Sequence, residues 1–327
     1  MRAVTQRRYG GPDALTLEEV PTPRPSAGEV LVRVVAAGVC RGDVHLMTGK
    51  PYLVRAMFGL RRPRQAVIGQ ELAGTVVAIG DGVTEFAVGD DVIGEGFCGA
   101  FAEYASVSVD HVARKPEGMT FEAAAALPGS GIPALQAVVD HGGVATGQHV
   151  LIVGASGGVG TFAVQIAKAR GATVTAVCST RHVDTVRALG ADRIVDYTRE
   201  DLLAVVGGEI PRADVVIDLV GGRPLSDWRR VLHERGTLVS GAAARGNWIA
   251  PIAWLLKIAI ANRLSRRKLT TFLAAPDAAG IRKLSALVEA GELRTVIERV
   301  LPLEQVREAM AEVAAGHADG KTVLAIG

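Results

Sequence analysis

Cysteine is scarce in this sequence: Cys40, Cys98 and Cys178 are its three, far apart and odd in number. That spacing suggests neither a disulfide framework nor a paired-cysteine metal knuckle, and a reducing cytoplasm is the expected location. Charge of one sign is lacking too. With 36 basic and 34 acidic residues the formal net charge is only +2, which gives no general reason to expect nucleic acid or another polyanion as a partner. Long apolar runs are also missing. The N-terminus soon reaches Gly10, Gly11 and Pro12 without the apolar core of a signal peptide. The most membrane-like stretch, 248–260, contains Pro251 and Lys257 and is shorter than the roughly 20 apolar residues of a span. No membrane span is expected.

What is present is a large apolar content, 49% of 327 residues, enough for two domains. The most informative stretch is 149–168. Residues 150–153 form a short, β-branched apolar run, as in a buried parallel strand. A glycine turn follows, and then Phe162, Ala163, Ile166 and Ala167 recur at helical spacing. Strand, glycine turn and helix in that order are the context a dinucleotide fingerprint requires. Gly157, Gly158 and Gly160 allow a sharp turn, close approach of the backbone to a pyrophosphate and tight packing of helix on strand. Ala155 stands where the first glycine of the usual pattern would be.

From residue 3 to about 114 the periodicity is mostly two, with glycine and proline punctuation, which predicts a β-rich domain. From about 121 strand and helix patterns alternate: strands are expected at 173–178, 193–195, 214–219 and 236–240, a doubly wound parallel sheet. Further strands at 270–273, 296–300 and 322–326, with helices at 278–290 and 303–315, suggest that the tail rejoins the first domain.

Several motifs then carry a resemblance: Glu18-Glu-Val-Pro-Thr-Pro, Gly28-Glu-Val-Leu-Val-Arg-Val, Gly69-Gln-Glu-Leu-Ala-Gly, Gly89-Asp-Asp-Val-Ile-Gly, Ala155-Ser-Gly-Gly-Val-Gly and Leu189-Gly-Ala-Asp. Over essentially its whole length the chain resembles the medium-chain dehydrogenase/reductase superfamily, and within it the zinc-independent quinone oxidoreductase branch. The resemblance implies an α/β fold in which a Rossmann domain, 123–268, is inserted in a GroES-like β-rich catalytic domain, 1–122 completed by 269–327, with substrate in the cleft between them. A homodimer is the expected assembly.

Zinc dehydrogenases of this superfamily hold a catalytic metal with an early Cys, the His of a Gly-His-Glu triplet, and a later Cys or a Glu. Here Cys40 and Glu71 are kept, but the His position is Gln70 and the later Cys position is Gly129. Gln is a poor zinc ligand beside imidazole and thiolate, so no metal is expected. Cys40, Glu71 and His45 would make only a residual site, and the stronger expectation is that Cys40 packs as a compact hydrophobe lining the cleft.

For the cofactor, the strand after the glycine turn lacks the Asp or Glu that bonds a ribose 2′-hydroxyl in NAD sites. It offers Ser179 and Arg181 instead, a hydroxyl and a cation suited to a 2′-phosphate. The alternative is that Arg181 is only the solvated start of the next helix. The resemblance adds Tyr197, and NADPH is favoured. The full expected cofactor set is Ser130, Ala155, Ser156, Gly157, Gly158, Val159, Gly160, Ser179, Arg181, Tyr197, Val220 and Gly241. Ser130 enters because Pro133 stands where the family's threonine would be.

On the substrate side the resemblance points to the segment from Cys40 to Tyr52. Tyr52 is the candidate to orient or protonate a quinone or enone oxygen, with Cys40, Asp43 and His45 nearby. The relay hydroxyl expected beside His45 is Gly42, so that proton path is broken. The reading is an NADPH-dependent, zinc-independent oxidoreductase passing hydride to a quinone, enone or related conjugated carbonyl, a small apolar substrate. Its rivals are a zinc-free alcohol dehydrogenase or carbonyl reductase, and a dinucleotide-binding structural or redox-sensing protein without turnover. The basic, apolar segment 247–268 is expected to pack at a pocket or an interface; a seat on a membrane surface is the alternative.

Overall fold

The computed structural model describes residues 1–96, 99–241, 249–316 and 320–327; Cys98 and Trp248 lie outside them. The chain divides into two compact units, Met1–Ile132 with Ala275–Gly327, and Pro133–Ala274.

In chain order the first unit contributes β1 (Arg2–Gln6), β2 (Leu15–Glu19), β3 (Glu29–Val39), β4 (Glu71–Ile79), β5 (Asp91–Glu95), β6 (Tyr104–Ser108) and β7 (Val112–Arg114). The second contributes β8 (His149–Val153), β9 (Thr173–Cys178), β10 (Arg193–Asp196), β11 (Ala213–Asp218), β12 (Leu232–Ser240) and β13 (Lys268–Thr271). Then β14 (Ile297–Pro302) and β15 (Lys321–Ala325) return to the first.

In the first unit the strand order is β14-β15-β3-β4-β5-β7, with β6 also paired to β3. The 11-residue β3 is its axis: Val30, Val32 and Val34 alternate into a core shared with Leu72, Val76, Phe101 and Leu324. That alternation fixes the register, because a one-residue slip would turn those valines to solvent. Glu71 thereby faces Gly38 of β3 and Glu95 of β5. Thr322 of β15 faces Val39, so the next step along the antiparallel pair sets Lys321 across from Cys40.

The second unit is an all-parallel sheet in the order β10-β9-β8-β11-β12-β13. Strand β8 is buried throughout, as a strand covered on both faces must be. Counted from β8, the order is 3-2-1-4-5-6, which reverses direction between β8 and β11, and ligands of such sheets bind at that reversal. The strand expected at 270–273 is β13, and it pairs in parallel with β12. It therefore extends the parallel sheet instead of opening the return to the first unit. Its periodicity gave no clue to this, since pairing partner is a tertiary property.

The helix Ile249–Leu264 follows β12. Its Trp254 packs against the parallel-sheet core and donates to Ser240 Oγ at 3.3 Å, while Ile258 and Ala261 are buried. Among the described residues no helix is long and apolar enough to cross a membrane.

Candidate functional site

At the carboxyl end of β8, Gly154 takes the left-handed conformation, φ +83°. Ala155 follows it in an ordinary conformation, fully buried, its N–H donating to Val177 O at 3.1 Å. The alanine at the expected first-glycine position is therefore no defect: the unusual torsion falls one residue earlier, where a glycine is present. A Cβ on Gly160 would lie 2.1 Å from Gly154 O and 2.7 Å from the Ala155 backbone, so this glycine is what lets the helix Gly158–Ala169 sit directly against the turn. Gly157 is less demanding, with its nearest approach an ordinary 3.5 Å. Gly157 caps that helix without a side-chain hydrogen bond, and Ser156, Gly157, Gly158 and Val159 are all half-buried. The first turn of a 12-residue helix thus offers backbone N–H groups to an anion.

Neighbouring strand ends place Ser179, Arg181, Tyr197, Val220 and Gly241 along one edge of the parallel sheet. The pairing of Asp196 with Cys178 brings the residues that follow, Tyr197 and Ser179, side by side. Tyr197 is 61% exposed and Arg181 is exposed, with its Nε donating to His182 Nε2 at 2.9 Å. The carboxylate of Asp196 accepts from Thr180 Oγ1 at 2.5 Å and from Thr198 Oγ1 at 2.7 Å. The Thr180 hydrogen bond, then those of Thr198, hold it below the ordinary carboxylate range, and its oxygens are committed to these threonines. On the other side of β8, Asp218 at the end of β11 accepts the N–H groups of Val220 and Gly221 at 3.1 and 2.9 Å. Burial pushes its carboxyl upward against those bonds. Gly241, after β12, donates to Asp218 O at 2.9 Å. Val220 is left half-exposed at this edge.

The first unit holds a second constellation. Glu71, fully buried, receives the Lys321 ammonium on both oxygens, at 2.8 and 3.0 Å, and Lys321 is 3% exposed. Burial works against the Lys321 charge, but Glu71 outweighs it and holds the ammonium above its ordinary range. Two glycines make the space: a Cβ on Gly38 would come within 2.5 Å of the Glu71 carboxylate and one on Gly129 within 2.2 Å. Gln70 Nε2 lies 3.3 Å from Asp43 Oδ1 and 3.8 Å from Cys40 Sγ. The absent relay hydroxyl at Gly42 has a spatial reason, since a Cβ there would meet Gln70 Nε2 at 2.5 Å. Asp43 is buried and also accepts the Cys40 N–H at 2.9 Å, with desolvation raising its carboxyl to about 6. Desolvation, then Asp43 and Glu71, drive the Cys40 thiol well up. Glu95 is raised to about 8, first by burial and then by Glu71; its Oε2 is buried with no partner among the described residues.

Against a catalytic zinc this donor set fits poorly: Cys40 resists ionisation, Gln70 replaces imidazole, Glu71 is clamped by a lysine, and Gly129 brings no donor atom. No group of three or more metal-ligating side chains exists among the described residues.

His45 lies half-buried with Nδ1 donating to Lys50 O at 2.7 Å, and burial lowers its pKa. Tyr52 caps the helix Leu53–Phe58, its ring 4.7 Å from the Arg55 guanidinium, which also covers Tyr9 at 4.6 Å. Ser130 is buried in the helix Pro128–Leu135. Sequence reasoning missed Lys321, Glu95 and Gly38. The available signal was a lysine at the head of the apolar run Thr322-Val-Leu-Ala-Ile, but only the β3–β15 register connects it to Glu71.

Comparison with known proteins agrees with this architecture. Residues 26–117 match a family described as the alcohol dehydrogenase GroES-like domain, and residues 189–324 one described as zinc-binding dehydrogenase. The chloroplast envelope quinone oxidoreductase homolog of Arabidopsis thaliana is 31% identical over 99% of this chain and 98% of its own. An NAD-dependent alcohol dehydrogenase of Saccharolobus solfataricus is 32% identical, covering 99% of each. The quinone oxidoreductase structure from Coxiella burnetii superimposes with a TM-score of 0.88 at 30% identity, covering 100% of this chain and 99% of that one.

Proposed function

Because the chain belongs to the medium-chain dehydrogenase/reductase superfamily, in its quinone oxidoreductase-like branch, we propose that this oxidoreductase is NADPH-dependent and zinc-independent, and that it reduces a quinone, enone or related conjugated carbonyl. The observation that carries the reading is the edge of the parallel sheet at its reversal point, where the glycine turn, an uncapped helix start and the Ser179–Arg181–Tyr197 group lie on adjacent strand ends.

When bound, the dinucleotide supplies the hydride. The chain's own residues hold and orient it: the N–H groups of Gly158 and Val159 face the pyrophosphate, while the Ser179 hydroxyl, Arg181 guanidinium and Tyr197 phenol take the 2′-phosphate. Val220 and Gly241 border the site from the β11 and β12 ends. On the substrate side the Tyr52 phenol donates to the carbonyl oxygen, its ring orientation set by Arg55. Asp43 and Gln70 position the Cys40 loop through their mutual hydrogen bond. The poor donor set around Cys40 supports zinc independence. A homodimer in the cytoplasm completes the proposal, Cys40 and Cys178 both being free thiols.

The test is oxidation of NADPH and NADH against a panel of quinones, enones and aldehydes, with products identified. Hydroquinones or saturated ketones support the reading. Alcohols from aldehydes would replace it by a carbonyl reductase, the reading that the 32% identity to an alcohol dehydrogenase favours. Cofactor binding without turnover on any of the panel would leave a binding protein. Stoichiometric zinc that tracks activity in protein purified without added metal would overturn zinc independence.

A further inference from the structure

Exposed apolar side chains are concentrated in the segment that follows Tyr52. Leu53 is 65% exposed, Met57 57% and Leu60 74%, and Ala56 is exposed with them. Residues 53, 56 and 57 share one face of the helix Leu53–Phe58, at i, i+3 and i+4. This short helix therefore turns an apolar face outward, the opposite of what core packing asks of an amphipathic helix. The lobe is held in shape from behind. Arg55 is stacked on Tyr9 and Tyr52 and donates to Gly49 O at 3.1 Å, the Tyr9 hydroxyl donates to Gly59 O at 2.6 Å, and Arg64 N–H closes the loop on Phe58 O at 2.8 Å. Gly59, at φ +125°, is required in the turn, because a Cβ there would lie 2.1 Å from Arg62 O.

Charge lies on the same lobe. Between Asp43 and Glu71 the sequence contains no acidic residue, whereas Lys50, Arg55, Arg61, Arg62 and Arg64 fall in that interval. Arg55 is occupied internally, but Arg61, Arg62 and Arg64 are exposed and make no ion pair among the described residues. We propose that the Leu53–Met57–Leu60 face with Arg61, Arg62 and Arg64 is a docking surface for an anionic lipid bilayer: the aliphatic side chains enter the headgroup boundary and the guanidinium groups meet lipid phosphates.

Charge complementarity selects this occupant. A symmetric pairing of two copies through this face would set the same cations against each other. A bilayer surface accepts both halves of the patch, apolar contact plus electrostatic attraction. The other basic apolar stretch, in the second unit, carries less. There Trp254 bonds Ser240, Arg267 bonds the carbonyls of Arg229 and Leu232, and Lys268 bonds that of His141.

The test is flotation of the full chain with vesicles of phosphatidylcholine alone or mixed with phosphatidylglycerol. Flotation is expected with the anionic vesicles, weakened by high salt. The double variant Arg61→Glu/Arg62→Glu should lose about tenfold or more in partition, and Leu53→Ser/Met57→Ser should lose a comparable amount while both keep the wild-type circular dichroism and melting temperature. If the apolar double variant folds poorly, Leu60→Ser reads the same contact from the most exposed position. Failure to float, equal flotation with neutral vesicles, or an oligomer that the Leu53→Ser/Met57→Ser variant dissolves would each overturn the proposal, the last by making this face an interface between copies.

Discussion

The glycine turn of the second unit and the buried charge cluster of the first are built by opposite means. The turn is local: residues 154–160 adopt one backbone path, and most of what they offer is main-chain N–H. The cluster is assembled from β3, β4, β5, the helix after Cys40 and β15, whose contributions meet only when the sheet forms. A local backbone device tolerates changes of side chain and fails when a Cβ fills its space. An assembled cluster tolerates neither the loss of one partner of its ion pair nor a shift of register, because Lys321 and Glu71 offset each other's desolvation.

The largest effect should follow from breaking the cluster's pair. Lys321→Met leaves the Glu71 carboxylate buried without its cation, and the variant should lose about 3–5 kcal/mol of stability in urea unfolding. The double variant Lys321→Met/Glu71→Gln should recover much of that loss. In the turn, Gly160→Ala should cost about 1–3 kcal/mol by overpacking and should abolish nucleotide binding measured by fluorescence titration. Gly157→Ala, whose Cβ meets only an ordinary contact, should leave stability nearly unchanged. If the two glycines behave alike, the close approach at Gly160 is not what the helix depends on. Arg181→Ala should reduce the kcat/KM preference for NADPH over NADH by about 10–100-fold, the worth of one charge-assisted hydrogen bond; an unchanged ratio would remove Arg181 from the phosphate site.

The cluster also predicts a pH dependence that the turn does not. Glu95 titrates near 8 in the folded chain against 4.5 for an ordinary glutamate, so the folded state binds the additional proton between those values. Stability should fall as pH rises through that window, with the loss complete above pH 8. Glu95→Gln, which stays neutral, should match the wild type near pH 5 and exceed it at pH 9 in thermal unfolding. A modest effect is expected at Ala155. Gly154 carries the left-handed torsion, so Ala155→Gly should cost about 1–2 kcal/mol, from unfolded-state entropy and the lost burial of one methyl group, and leave nucleotide affinity as it is.

This contrast also explains what the sequence discloses. Strand, glycine turn and helix are consecutive, so the parallel sheet and its nucleotide edge were legible from residues 149–168, and the β-rich first unit from its alternation. The substitutions Gln70 and Gly129 were visible as departures, but their spatial meaning was not: Gly129 gives the Glu71 carboxylate its room, and Gly42 does the same for Gln70. Lys321 lies 250 positions from Glu71, and nothing in either local sequence names the other. The placement of β13 was lost for the same reason, since a four-residue strand carries no mark of the neighbour it will choose.

The sequence distance between Glu71 and Lys321 also orders events during synthesis. The whole of the second unit, Pro133–Ala274, lies between them. At translation rates of about 5–20 residues per second, the carboxylate waits roughly 12–50 s for its ammonium. Until β15 arrives, β3 is an open sheet edge, Gly38 has no cross-strand partner on that side, and Glu71 on the neighbouring β4 lacks its cation. The nucleotide-binding unit can thus be complete on the ribosome while the unit that began first is still unfinished, its core waiting for Leu301, Met310 and Leu324 as its carboxylate waits for Lys321.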